Sequence, residues 1–176
     1  MDVKSDAETF TLSGQKVYKD DARVEVCGLL DEVSCHLGVV KAFLERGDEV
    51  SEILTEIQGQ LFALGSQISA LGSEKKTPAI TQEDVEFLKE ITRKYGESLP
   101  KLTSFLYPGG SKAAAFLHLA RAAARRCERA IVALSRRFPL DPKAIAYINK
   151  LSSALFVLAR YVNLREGSSE ETWIRS

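Results

Sequence analysis

The chain has 176 residues, 45% of them hydrophobic and 27% charged, the balance of an ordinary soluble protein with enough apolar material for one core. Its 24 basic and 24 acidic residues cancel, which argues against nucleic-acid binding by bulk electrostatics and makes any basic site a local one. No apolar run approaches a membrane span and the opening MDVKSDAETF has no secretory core, so the expected location is the cytoplasm, with Cys27, Cys35 and Cys127 as buried free thiols.

In chain order the sequence predicts five helices and no strand alternation. The first spans about Asp21 to Leu44, with Val26, Leu29, Leu30, Val33, Leu37, Val40 and Leu44 on one face. A second face collects Gly28, Asp31, Cys35, Gly38 and Ala42. Small residues there allow close approach of another helix, and a carboxylate set among them calls for an arginine from another helix or subunit. The alternative is an exposed aspartate on a helix surface.

The second helix, about Asp48 to Leu71, is apolar at Ile53, Leu54, Ile57, Leu61, Leu64, Ile68 and Leu71 and reads as structural throughout. The third, Thr81 to Tyr95, opens on a capping box of Thr81 and Asp84. A connection from Glu97 to Tyr107 then delivers Phe105, either a core plug or a ligand contact, to the turn Pro108, Gly109, Gly110. Ser111 caps the fourth helix, which buries Phe116, Ala120, Ala123, Cys127, Ala130 and Leu134. The fifth opens at Asp141 with Pro142 in its first turn and buries Ile145, Ile148, Leu151, Leu155, Leu158 and Val162. Its other stripe, Asn149, Ser153, Phe156, Arg160 and Asn163, is polar enough to hold a ligand or to face water. The expected fold is all-α, a five-helix antiparallel bundle of the ferritin-like kind in one domain: an N-terminal segment 1–19, the bundle 20–165 and a tail 166–176.

The chemistry concentrates on the fourth helix. His118, Arg121, Arg125 and Arg129 recur on the face opposite the apolar one. Like charges one turn apart disfavour a helix by roughly 0.2 to 0.5 kcal/mol per pair, so three arginines in register invite a counter-charge that Glu128 supplies only in part. The planar guanidinium fork suits phosphate oxygens. From this segment alone a polyphosphate site and a plain solvated face fit equally well.

The pieces KVYKDDARVEVCGLLDEVSCHLG, FLYPGGSKAAAFLHLARAAARRCERAIVAL and YINKLSSALFVLARYVN, in that order between Lys16 and Asn163, resemble the three signature regions of the ATP:cob(I)alamin adenosyltransferases of the propanediol-utilisation type. The resemblance implies a homotrimer with the site between subunits, where ATP and a corrinoid meet. Co(I) attacks the 5′ carbon of the ribose, giving adenosylcobalamin and tripolyphosphate, with Mg2+ accompanying ATP and the protein supplying no metal ligand of its own. By the same resemblance Arg125 and Arg129 hold ATP, with Glu128 between them, Asn149 contacts ATP, and Lys19 lies near the phosphates. Asp31 pairs across the interface with Arg125, and Phe105 displaces the lower ligand of cobalt. A reductase and a client mutase are implied partners; nucleic acid and membrane are not.

The chain departs from the family pattern in three places. KSDAETFTLSG stands where a Gly- and Thr-rich phosphate loop is usual, Ser34 where an asparagine is usual, and Ser153 where an aspartate is usual. These departures keep a second reading open, a trimer that carries a corrinoid or senses ATP without transferring adenosyl.

Overall fold

The computed structural model describes residues 6–174; Met1 to Ser5 of the expected ATP-contacting segment and the last two residues of the tail lie outside them. Among the described residues there are five helices: α1 (Ala22–Ala42), α2 (Glu49–Ser69), α3 (Gln82–Glu97), α4 (Lys112–Ser135) and α5 (Pro142–Arg165). Each starts where a short oxygen-bearing side chain meets the first free amides. Asp21, Asp48, Thr81, Ser111 and Asp141 all accept a backbone N–H from the first turn, each cap worth about 1 kcal/mol. Thr81 and Asp84 form the reciprocal capping box.

Side-chain contacts at the helix ends fix the directions. The Phe43 ring stacks on Phe116 at 5.6 Å and the Arg23 guanidinium lies 5.1 Å from the Phe138 ring centre, so α1 runs antiparallel to α4. Tyr147 donates to Gln60 Oε1 at 3.0 Å and Arg165 pairs with Asp48 at 2.7 Å, which sets α2 against α5. The rings of Tyr95 and Tyr161, 4.6 Å apart, bring the C-terminal ends of α3 and α5 together, and both hydroxyls donate to Glu49. The helices therefore alternate up and down. One end of the bundle gathers residues 43–49, 95–111 and 161–174; the other gathers the N-terminal residues, 71–81 and 136–141.

The core is a single cluster contributed by all five helices. Leu37, Leu54, Ile57, Leu64, Leu117, Ile131, Leu151 and Leu155 have no exposed surface. Each such side chain stabilises the fold by roughly 1.5 to 3 kcal/mol through burial. No helix among the described residues is long and apolar enough to cross a membrane.

Two expectations are corrected. The N-terminal segment contains strands: β1 (Glu8–Phe10) and β2 (Lys16–Tyr18) pair antiparallel with Thr9 opposite Val17. Three residues per strand are too few for alternation to show in a sequence. The hairpin is fixed from outside. Leu12 N–H donates to Ser69 Oγ at 2.8 Å, Lys75 Nζ donates to Leu12 O at 2.7 Å, and buried Arg23 reaches Gln15 Oε1 and Leu71 O while forking onto Asp21. The cysteines also divide. Cys127 is buried, its thiol pushed up to about 12, and Cys27 is half-buried, whereas Cys35 is exposed because it lies on the small-residue stripe of α1 that faces away from the core.

Candidate functional site

Fifteen residues of α5, Asn149 to Asn163, span about 21 Å at the helical rise of 1.5 Å per residue and string polar features along one face. Asn149, Ser153, Phe156, Arg160 and Asn163 recur every three or four positions. The structure divides them by depth: Asn149 and Ser153 are exposed, Phe156 is half-buried, and Arg160 and Asn163 are buried. The stripe is therefore not a water-facing surface at its C-terminal end, and each member meets a different part of the site.

At its start, Asn149 Nδ2 donates to Glu128 Oε1 at 2.7 Å and ties α5 to the arginine face of α4. Arg125, Glu128 and Arg129 line an open groove of about 450 Å³ with Arg136. Arg129 Nη1 donates to the Arg125 carbonyl at 3.0 Å. Among the described residues no carboxylate pairs with Arg121, Arg125 or Arg129, while the acid nearest in sequence, Glu128, is engaged by Asn149. Among the described residues the expected counter-charge is therefore not supplied.

One turn towards the middle of α5, a hollow of about 430 Å³ is bounded by Arg121, Arg125, Ser152, Ser153, Phe156 and Thr92. The Arg121 guanidinium lies 6.0 Å from the Phe156 ring centre, and its Nε is buried with no hydrogen-bond partner. Burial and the like charge of Arg125 lower its affinity for a proton. His118 is corrected: it is buried, 5% exposed, with its ring 5.9 Å from Phe156, and is not part of the solvated stripe. Its Nδ1 has no partner, and burial with the neighbouring Arg121 charge holds its pKa below the usual histidine value.

At the far end α5 meets Phe105. That ring is 79% exposed, so it is no core plug; it stands edge-on to Trp173 with ring centres 6.4 Å apart. Tail and connection pair as short strands, with Tyr107 N–H donating to Glu171 O at 2.9 Å and Trp173 N–H to Phe105 O at 2.7 Å.

Asp31 is exposed rather than buried, and it is not brought to Arg125 within the chain. The α1–α4 ion pair at this level is Glu32 with Arg126. Asp31 instead borders a mostly apolar pocket of about 280 Å³ on the α2 side, with Leu12, Cys27, Leu61 and Phe62, whereas Arg125 opens on the α5 side. Phe62 is 68% exposed, whereas the apolar face expected of α2, Leu54, Ile57, Leu61, Leu64 and Ile68, is buried. The whole stripe Gly28, Asp31, Cys35, Gly38 and Ala42 faces outward. Lys19 follows β2 at the opposite end of the bundle from Phe105; its amide donates to Ala7 O and its side chain is exposed. In the hairpin, the amides of Thr11, Leu12, Gly14 and Gln15 are all committed to partners inside the chain.

Residues 3–162 match the family described as cobalamin adenosyltransferase. The chain is 38% identical over 169 residues to the corrinoid adenosyltransferase of Bacillus subtilis, covering 94% of this chain and 86% of that one. It is 37% identical over 163 residues to the cobalamin adenosyltransferase of Cupriavidus metallidurans, with 92% and 86% covered. Among solved structures, a phenylalanine-to-histidine variant of the PduO-type ATP:corrinoid adenosyltransferase from Lactobacillus reuteri, complexed with cobalamin and ATP, has a TM-score of 0.91 at 31% identity and covers 98% of this chain and 94% of its own.

Proposed function

The chain belongs to the cobalamin adenosyltransferase family, and on that premise we propose that it transfers the 5′-deoxyadenosyl group of ATP to a cob(I)alamin-type corrinoid. The observation that carries the reading is the α4 face itself: Arg125 and Arg129, one turn apart on a rigid helix, with no acid of their own and an amide–carboxylate pair beside them. Such a face suits a departing tripolyphosphate.

In the reaction the Co(I) electron pair forms the cobalt–carbon bond to the ribose 5′ carbon while the carbon–oxygen bond to the triphosphate breaks. The leaving group carries away the electron pair of that bond. Arg125 and Arg129 stabilise the negative charge that grows on the departing oxygen, and Lys19 adds a further cation. Asn149 holds Glu128 and so keeps its carboxylate from collapsing onto the arginines. Phe105, presented in the open, occupies the lower face of the corrin in place of a nitrogen ligand and makes Co(II) easier to reduce. Mg2+ would travel on the oxygens of the triphosphate, hard ligands of the kind it prefers.

The site is completed by a second copy in a homotrimer. Asp31 on an outward stripe of small residues is the acid that the Arg121–Arg125 end of the α4 face lacks, and the two open on different sides of one chain. A cytoplasmic location suits three unpaired thiols, and a reductase supplies the electron before the product passes to a client mutase.

One observation favours a second reading. With four hairpin amides already satisfied, the N-terminal turn offers little backbone to phosphate, which suits a corrinoid carrier or an ATP sensor that does not turn over. A spectrophotometric assay with ATP, magnesium and chemically reduced cobalamin decides between them. Loss of the Co(I) absorbance with multiple turnovers is expected; tight corrinoid binding without turnover would establish the carrier.

A further inference from the structure

Phe105 is held by polar contacts rather than by burial: its carbonyl accepts the Trp173 amide, and the segments on either side of it are tied to the last turns of α5. Asn163, 1% exposed, accepts the Ser111 amide on Oδ1 at 3.0 Å and donates from Nδ2 to Gly109 O at 3.0 Å, so its side chain fills the turn that follows Phe105. Gly110 closes over it at φ +104°, where any Cβ would overlap the Asn163 amide. One turn earlier, Arg160 is 6% exposed and forks onto Glu170, with Nε at 3.0 and 3.1 Å from the two carboxylate oxygens and Nη2 at 3.0 Å from Oε2. The same Nη2 donates to Pro100 O at 3.0 Å. Arg160 thus grips the connection before Phe105 and the tail beside it, and the tail residues that follow Glu170 pair with Phe105 and Tyr107.

We infer that Arg160, through its ion pair with Glu170, and Asn163 are positioning residues that hold Phe105 outward at the corrinoid face; this rests on the reading of Phe105 under Proposed function. A buried guanidinium with a bidentate carboxylate fixes direction as well as distance, which a lysine or an apolar contact would not. The tail is too exposed to hold itself in place, with Trp173 at 43% and Ile174 at 80% exposure.

The test is Glu170→Gln in the full chain, with Arg160→Lys as a second variant that keeps the buried charge but loses the fork. Trp173 is the only tryptophan, so its fluorescence and its quenching by acrylamide report the tail without any ligand. Both variants are expected to raise that quenching. Turnover started from Co(II) with a reductant should fall on the order of tenfold, and turnover from chemically reduced Co(I) by less than about twofold, because misplacing Phe105 impairs reduction more than transfer. Unchanged quenching in both variants would overturn the clamp. Raised quenching with equal losses, or none, in the two assays would overturn the positioning role. If the unaltered protein fails to turn over even from Co(I), the functional reading falls, and the quenching comparison still decides the clamp.

Discussion

Arg125 and Arg129 stand on one unbroken helix, fixed by backbone bonds to residues four positions away, whereas Phe105 stands on a connection fixed by Asn163, 54 residues beyond Gly109, and by a tail beyond that. The arginine groove is rigid in backbone and unsatisfied in charge. The Phe105 platform is irregular in backbone and is tied down by hydrogen bonds from Asn163, Arg160 and the tail. The difference teaches where each half of the site gets its order: the platform draws its contacts from within the chain, while on the proposed reading the groove takes its counter-charge from an anion and a second copy.

The largest effect should come from the unsatisfied half. Arg125→Ala is expected to lower turnover about 10² to 10³-fold, roughly 3 to 4 kcal/mol of transition-state stabilisation, and to shift the assembly to smaller species by light scattering. An intact assembly with normal turnover would remove the groove from the reaction. Next comes the platform's geometry. Gly110→Ala forces a side chain into the Asn163 amide at positive φ and should cost about 2 to 3 kcal/mol, read as a lower urea midpoint; an unchanged midpoint would mean that the turn is not locked. Phe105→Ala, by contrast, removes a ring that is 79% exposed, so the thermal midpoint should hold while turnover from Co(II) falls about tenfold. A large loss of stability would make Phe105 a packing residue after all.

The smallest effect sharpens the comparison at the residue between the two regions. Burial and Arg121 depress the pKa of His118 from the usual 6.5, with Glu170 opposing weakly. The folded state therefore favours the neutral ring, and the unfolded chain takes up the proton first as pH falls. Stability is full above the unfolded value near 6.5 and is lost as pH drops through the depressed folded value. Thermal midpoints from about pH 8 to about pH 5 should slope downward in the wild type and less so in His118→Gln. Equal slopes would remove His118 as the cause, since the carboxylates Asp21, Asp48 and Glu49 are held low by their partners and lose their contribution only further towards acid.

What could be read in the sequence follows the same division. Helices capped by Asp48, Thr81, Ser111 and Asp141 announce themselves because cap and period are local signals, and the α4 arginines share that period. The α5 stripe was visible as well, but its sorting into exposed Asn149 and buried Arg160 was not, since that depends on a tail that folds back onto residues 100–107. His118 keeps the spacing of the arginine stripe yet is buried, because its ring packs against Phe156 of the neighbouring helix. The hairpin of 8–10 with 16–18 left no pattern because its strands are short and its anchors, Ser69 and Lys75, lie on and beyond another helix.

The central claim, that Asp31 of one copy completes the arginine groove of another, is tested most directly by mixing two crippled variants. Asp31→Ala and Arg125→Ala, each inactive alone, are co-refolded in equal amounts and assayed for loss of Co(I) absorbance with ATP. Random assembly leaves about a quarter of the interfaces with both residues intact, so activity should rise towards about a quarter of the wild-type value. A mixture no more active than the mean of its two parents would contradict the account.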